Sequence, residues 1–374
     1  MKKFGINIGV VILFLVVVFS CVEQKSENVK IGVILPLTGT YANLGKDVKN
    51  GIELAKWTYQ FSRKEVNEDI ELIYLDDKSS SVGGVSAIQN LIFKENPVAI
   101  IGGISSTTTM AIAPIAEKNK IVLISPTASS PQISDIGEYI FRVCASDLQE
   151  GIKMAQYLAS ENVDRIGIVY VENDYGQGLY NAFMSALSEN LIKVKFLESY
   201  LEGTTDFRNI IAKLKKHNIA NVYIPGYAQG VGQFLKQSKE MGFKPNFFSS
   251  ISFEDPKVVE IAGDAANGVI YTAYNYDASI DSGIVGRFNL NYEKKYNKRP
   301  NIYSALGYDA AYVLFYVLDK AYPETDKLNS ELSSVKIEKT ITSKISFDEN
   351  GDVKQGITLK KYLNGKYYFL TKNL

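Results

Sequence analysis

Histidine is almost absent from this chain. Its 374 residues include one, His217, and two cysteines, Cys21 and Cys144. A His/Cys zinc site cannot be assembled from so few side chains, and a disulfide framework cannot either. An excess of one charge is missing too. The 41 Lys+Arg residues balance 41 Asp+Glu, which removes the basic footprint of a nucleic-acid binder. Phosphate-binding glycine motifs fail. Gly39 to Lys46 superficially follows a P-loop, but five residues separate its glycines and Asp47 stands where Ser or Thr is required. No GxGxxG follows a strand pattern and no GxSxG elbow occurs. His217 closes the basic run Lys215-Lys216-His217, where it faces solvent and complements a helix dipole. Carboxylate pairs such as Asp76-Asp77 occur without a spacing that marks an acid and a base. The expectation is a protein without enzymatic chemistry, metal or cofactor.

What the chain does have is apolar content, 46% of its residues. That is enough for large cores, and the length indicates two domains. The first 20 residues read as an export signal. Lys2 and Lys3 precede an uncharged stretch from Phe4 to Ser20, short for a membrane span. Val18-Phe19-Ser20-Cys21 resembles the bacterial lipoprotein lipobox, which implies cleavage before Cys21 and lipidation of its thiol. An uncleaved anchor helix is the alternative. Either way the remainder lies outside the cytoplasmic membrane, lipid-anchored in the cell envelope or periplasmic. Without Lys2 and Lys3 the net charge is −2. Cys144, in the apolar setting Ile140-Phe141-Arg142-Val143, reads as a small buried hydrophobe.

From residue 30 onward, short β-rich runs alternate with helical patterns. Runs at 31–36, 70–76, 98–102 and 121–125 read as strands, with helices at 45–59, 82–95 and 107–118 between them. The alternation restarts after Asp147. Strands are expected at 165–171, 193–200, 221–226, 247–250 and 268–273, with helices at 148–160, 178–190, 206–216, 229–241 and 256–262. This pattern means βαβ units and mainly parallel sheets, buried on both faces. Two helical patterns, 281–296 and 303–321, have no strand between them, so they must pack on an existing sheet. Residues 345–370 read as strands joined by turns at Asn350-Gly351 and Asn364-Gly365. The economical topology crosses back to the first half and then revisits the second.

Ligands in such sheets bind beyond the carboxyl ends of strands, near helix N-termini. The loop Ser105-Ser106-Thr107-Thr108-Thr109 sets five hydroxyls before a helix. It suits a carboxylate, or else simply caps the helix. Ser125-Pro126-Thr127-Ala128-Ser129-Ser130-Pro131 offers acceptors for an ammonium, or forms an ordinary turn. Tyr175 and Tyr227 occupy the matching loops of the second half, where a ring can close over a bound molecule.

Four segments together resemble the leucine/isoleucine/valine-binding protein family of type I periplasmic binding proteins. They are IGVILPLTGTYANLGKDVKNGIELA, VAIIGGISSTTTMAIAPIAEKNKIVLISPTASSP, VYVENDYGQG and FEDPKVVEIAGDAANGV. The resemblance implies an α/β fold of two doubly wound lobes joined by three crossover strands. Lobe 1 would take residues 29–146 and 277–345, and lobe 2 residues 147–276 and 346–374, after a signal peptide at 1–20 and a tether at 21–28. By similarity, Ser106 and the Thr107 amide hold a ligand carboxylate, Thr127 and Ser129 receive its ammonium, and Tyr175 and Tyr227 approach from the second lobe. Two positions depart from the family pattern. The acidic residue that grips the ammonium falls at Ile251, with Glu254 three residues on as a possible substitute. Leu44 stands where an aromatic ring is usual. These departures widen the ligand class from branched-chain amino acids to amides and small organic acids. The function implied is a monomeric, membrane-tethered solute-binding lipoprotein that delivers an amino-acid-like ligand to an ABC permease. A sensor on the same fold is the second reading, and an envelope hydrolase pairing a serine with His217 is the remote third.

Overall fold

The computed structural model describes residues 28–62, 70–321, 324–354 and 356–370. The export segment 1–20, Cys21 and most of the tether lie outside them. No helix among the described residues is long and apolar enough to cross a membrane.

The first sheet is built from β1 (Val29–Leu35), β2 (Ile70–Asp76), β3 (Ala99–Gly102), β4 (Val122–Ser125) and β5 (Ile140–Arg142). The strands are all parallel, in the order β2-β1-β3-β4-β5. The helices α1 (Ala42–Ser62), α2 (Ser81–Asn90) and α3 (Ser106–Lys118) connect them. Residues 91–95 continue α2 as a π-helical turn, which accounts for the longer helical pattern read there. Side chains alternate across the strands. Val33, Ile101 and Ile124 pack with Val48 and Ile52 of α1, whereas Ile34, Ile100 and Leu123 pack with Ile88 and Ile112 of α2 and α3. Burial of both faces explains why these strands read as continuous apolar runs.

The second half contributes α4 (Asp147–Ser160), β6 (Arg165–Val171), α5 (Asp174–Glu189), β7 (Lys193–Tyr200), α6 (Arg208–Lys216), β8 (Asn221–Ile224), α7 (Ala228–Glu240), β9 (Asn246–Ser249), α8 (Pro256–Ala262) and β10 (Ile270–Tyr274). The helices α9 (Gly283–Tyr296), α10 (Ile302–Ala321) and α11 (Leu328–Ser334) follow, and then the hairpin strands β11 (Ile357–Leu363) and β12 (Lys366–Phe369). The second sheet runs β12-β11-β10-β9-β8-β6-β7, with β11 antiparallel to both of its neighbours and the other pairings parallel. Asn364 and Gly365 both take positive φ, +50° and +79°, as the Asn-Gly hairpin signal requires.

The helical pair without a strand returns to the first sheet. Phe288 and Tyr292 of α9, and Leu314 and Phe315 of α10, share a core with Val33 and Val48. Close approach of α1 and α10 depends on glycine. A Cβ on Gly51 would lie 2.0 Å from the Ser304 carbonyl oxygen, and one on Gly307 2.4 Å from that of Val48. The chain therefore passes between the lobes three times: after β5, after β10 and ahead of β11.

β5 has only three residues, too short to separate by pattern from the apolar context that was read around Cys144. It carries the fold's central charge pair. Arg142 is fully buried, and its Nε and Nη2 meet the Asp352 carboxylate at 2.6 and 2.7 Å. The tight turn at Asn350-Gly351 delivers Asp352 to that position. Arg142 N donates to the Gly351 carbonyl at 3.0 Å, and a Cβ on Gly351 would meet the Ile140 carbonyl oxygen at 2.0 Å. Breaking such a pair strands a buried cation. Asp352→Ala is expected to lower unfolding free energy by about 3–5 kcal/mol in urea titration, and a wild-type midpoint would contradict this account.

Candidate ligand-binding site

The five hydroxyls at the start of α3 divide their work. Ser105 is the N-cap, and its Oγ accepts from Thr108 N at 3.1 Å and donates to Thr108 Oγ1 at 2.9 Å. Thr109 Oγ1 donates to the Ser105 carbonyl at 2.9 Å. Ser106 is buried, and its Oγ accepts from Ser130 N at 3.2 Å, which ties this loop to the one after β4. Thr107 is the exception, because its buried Oγ1 has no partner. Capping therefore explains two or three of these residues and leaves Thr107 for something else.

In the loop after β4, Thr127 Oγ1 donates to the Ile104 carbonyl at 2.7 Å. That use leaves its oxygen lone pairs free to accept. Ser125 Oγ donates to the Gly103 carbonyl at 2.7 Å, so the two loops are rigidly joined. Ser129 is buried, and its carbonyl accepts from Asp147 N at 2.9 Å. Ser130 Oγ is buried without a partner.

The second lobe brings tyrosines. Tyr175, in the first turn of α5, donates from Oη to Ser250 Oγ at 2.8 Å. Its ring centroid lies 5.1 Å from that of Tyr227, the residue that opens α7. A third ring joins them from the first lobe: Tyr41 sits 4.8 Å from Tyr227, tilted at 56°. Tyr41 Oη also donates to Glu202, whose other oxygen is held by Asn173 Nδ2 at 2.7 Å. Tyr41, three residues before Leu44, is the aromatic ring that the first loop presents at the mouth. Leu44 is half-buried beside it, and Tyr41, Leu44, Tyr227, Ser252 and Tyr303 line a residual space of about 40 Å³. These contacts across the mouth describe a closed pair of lobes.

Glu254 is half-buried and ion-paired with Lys360 at 2.5 Å. It lines a separate cavity of about 620 Å³ with Asp277, Lys298 and Tyr367. Ile251 offers its backbone instead of a side-chain acid. Its N donates at 2.8 Å to Glu150 Oε1, which also accepts from Thr272 Oγ1 at 2.5 Å.

Glu150 and Asp147 were not singled out from sequence. They stand three residues apart in the first turn of α4, and both are buried. Neither oxygen of Asp147 meets a partner in good hydrogen-bonding geometry, although the Ser129 hydroxyl is close enough to favour its charged form. Burial pushes the Glu150 carboxyl up to about 7. Burial, then the Glu150 charge, raises Asp147 well above the usual carboxylate range. Burial also raises the phenol of Tyr175, followed by the charges of Glu150 and Asp147. Cys144 is buried behind this region, with burial first pushing its thiol up to about 12. His217 is at the C-terminal end of α6 with Nδ1 2.8 Å from the Lys213 carbonyl oxygen, remote from the tyrosines. Among the described residues no cluster of three or more His, Cys, Asp or Glu could hold a metal ion.

The family model described as periplasmic binding protein matches residues 28–366. A leucine-, isoleucine-, valine-, threonine- and alanine-binding protein of Pseudomonas aeruginosa is 26% identical over 342 residues, covering 90% of each chain. The crystal structure of a leucine-binding protein from Thermotoga maritima superposes with a TM-score of 0.85 at 30% identity, over 92% of this chain and 98% of that one. A solute-binding protein from R. palustris, in complex with benzoate, reaches a TM-score of 0.84 at 20% identity, over 92% and 95% of the two chains, a likeness of fold alone.

The buried acid pair makes stability depend on pH. An unfolded Glu150 loses its proton near the ordinary 4.5, whereas the folded one holds it to about 7. The folded state binds more protons across that window, so stability is greatest below it and falls as pH rises through it. The ligand-free protein is expected to lose urea stability between about pH 4.5 and 7, by up to about 1.4 kcal/mol per unit, and to level off above that. Glu150→Gln should flatten that fall, and an unchanged slope in the variant would refute the assignment.

Proposed function

The chain belongs to the periplasmic binding protein family, and on that premise we propose that it captures a small polar ligand between its lobes and delivers it to an ABC importer. The ligand class is an amino acid or a related amide or organic acid. The family consists of solute-binding proteins rather than enzymes. The observation that carries the reading is a pair of buried, unpartnered hydroxyls on the elements that follow β3 and β4, namely Thr107 Oγ1 in the first turn of α3 and Ser130 Oγ in the loop after β4. Native interiors rarely leave such groups unsatisfied, and a bound ligand is one way to satisfy them.

In this role Ser106 and Thr107 hold a carboxylate at the positive end of α3, and Thr127 and Ser129 accept from an ammonium. Tyr41, Tyr175 and Tyr227 enclose the rest. Ligand binding favours the closed lobes because it contacts both at once, and closure is what a permease would read. A lipid on Cys21 would tether the protein outside the cytoplasmic membrane. Cys21→Ala should abolish fatty-acid labelling in cells; persistent labelling would exclude that tether.

A thermal-shift screen of amino acids, amides and short organic acids is expected to yield stabilisers whose effect grows with ligand excess. For a stabilising compound, Ser106→Ala combined with Tyr227→Ala should weaken binding about 100-fold or more while the protein stays folded, since each lost contact is worth about 1–3 kcal/mol. Wild-type affinity in the double variant would remove both residues from the site.

A further inference from the structure

A cavity of about 620 Å³ lies among β12, the crossover that follows β10, and the segment leading into α10. None of the hydroxyl loops lines it, and it shares no lining residue with the space closed by Tyr41 and Tyr227. The two spaces have walls in common. Glu254 and Pro256 line the cavity, whereas Asp255 and Lys257 line the space beside the tyrosines. Ile302 and Tyr303 divide in the same way. The volume is that of a small-molecule site, of which a protein has few.

The charges on its walls are unevenly spent. Each acid is already held by the chain itself. Asp47 pairs with Lys298 and accepts from Asn301 Nδ2 at 2.6 Å. Asp277 Oδ1 accepts from Ser279 N at 2.8 Å and from Ser279 Oγ at 2.7 Å. Glu254 is paired with Lys360, which is buried and also donates to the Tyr276 carbonyl at 3.0 Å. The cations have donors left over. Arg299 donates from Nη1 to the Ala278 carbonyl at 3.3 Å, and its Nε is 3.9 Å from Glu293, too far for a hydrogen bond. A guanidinium has five donors, so most of these stay open. Lys366 lines the cavity without an ion pair among the described residues. Beside these open donors stand two rings. Tyr367 and Phe369 alternate with Lys366 and Tyr368 along β12, and both line the cavity. Tyr367 is 43% exposed, which is unusual for so large a ring on a strand.

We propose that this cavity is a second ligand site, distinct from the cleft, and that it takes a small aromatic carboxylate. Arg299 and Lys366 receive the anion, and Tyr367 and Phe369 receive the ring. A carboxylate matches the planar fork of a guanidinium. Offset or edge-on contact with the two rings suits an aromatic body. A cationic ligand is disfavoured, because the acids are taken and the open groups are donors. The site stands apart from the solute-binding reading, since it uses none of the residues assigned to the cleft. Its walls come from α1 and the start of α10 on one side and from β12 on the other, so an occupant touches both lobes.

Calorimetric titration of the full chain with naphthalene-2-carboxylate tests this, with naphthalene-2-carboxamide as the uncharged control. Two fused rings exceed the space of about 40 Å³ left beside Tyr41 and Tyr227. The carboxylate is expected to bind, and the amide to bind about 10-fold more weakly. Arg299→Gln combined with Lys366→Gln should weaken the carboxylate by about 10-fold and leave the amide unchanged, so the ratio between them collapses. Tyr367→Ala should weaken both probes, by about 5-fold. Arg299, Lys366 and Tyr367 are all exposed, and urea unfolding checks that each variant remains folded. Binding of the carboxylate should persist in Ser106→Ala combined with Tyr227→Ala. No binding, equal affinity for the amide, or an unchanged ratio in the Arg299 and Lys366 variant would overturn the inference. Loss of the carboxylate in the Ser106 and Tyr227 variant would place it in the cleft and overturn the inference as well.

Discussion

The ion pair between Arg142 and Asp352 sets the terms for the rest of the molecule. It joins the last strand of the first sheet to the third passage of the chain between lobes. The same guanidinium holds the Ser130 carbonyl at 2.8 Å and reaches that of Ala128 at 3.5 Å, fixing the loop that carries Thr127 and Ser129. A buried arginine with five donors can do this only where acceptors are plentiful. Its partner comes from Asp352, across 210 residues of sequence, and not from the nearer Asp147 or Glu150. One charge pair therefore anchors a crossover, shapes a binding loop and leaves two acids without a counter-charge.

That distribution bears on closure. Glu150 is attached to the second lobe through Ile251 N and Thr272, while Asp147 hangs from the first through the Ser129 carbonyl. The start of α4 thus bridges both lobes at the point where they hinge. At the opposite side of the mouth, Tyr41 reaches Glu202 and Tyr227. Closure shuts water away from the acids while the outer aromatic contacts form. The two ends of the cleft pull in different directions, one favouring contact and the other resisting dehydration of charge.

Much of the architecture is legible in the sequence because parallel strands covered on both faces are nearly pure apolar runs. β2, β6 and β7 occupy the residues read for them, and Asn364-Gly365 turns a hairpin as its composition demands. β5 escapes because three residues carry no period. Ser106, Thr107, Thr127 and Ser129 are recognisable as hydroxyls clustered after strands, and the structure joins their two loops through the Ser106–Ser130 bond. Tyr175 and Tyr227 do come together. Tyr41 is missed because attention falls on Leu44, and one loop can supply its ring from either position. Glu150 is missed for a deeper reason. An acid in the first turn of a helix looks like ordinary dipole complementation. Only tertiary structure shows that it is buried, that Arg142 is spent elsewhere, and that its carboxylate lies against Ile251.

A ligand shifts a two-state equilibrium only through a difference in its interaction with the two states. Hydroxyls and aromatic rings on one lobe bind equally well whether the cleft is open or shut, so alone they give affinity without closure. A group that touches both lobes supplies the difference. The start of α4 has that character, through the Asp147 amide on the Ser129 carbonyl and Glu150 on Ile251 N. Burial raises both carboxyls above the usual range, so each is disposed to hold its proton in the closed arrangement.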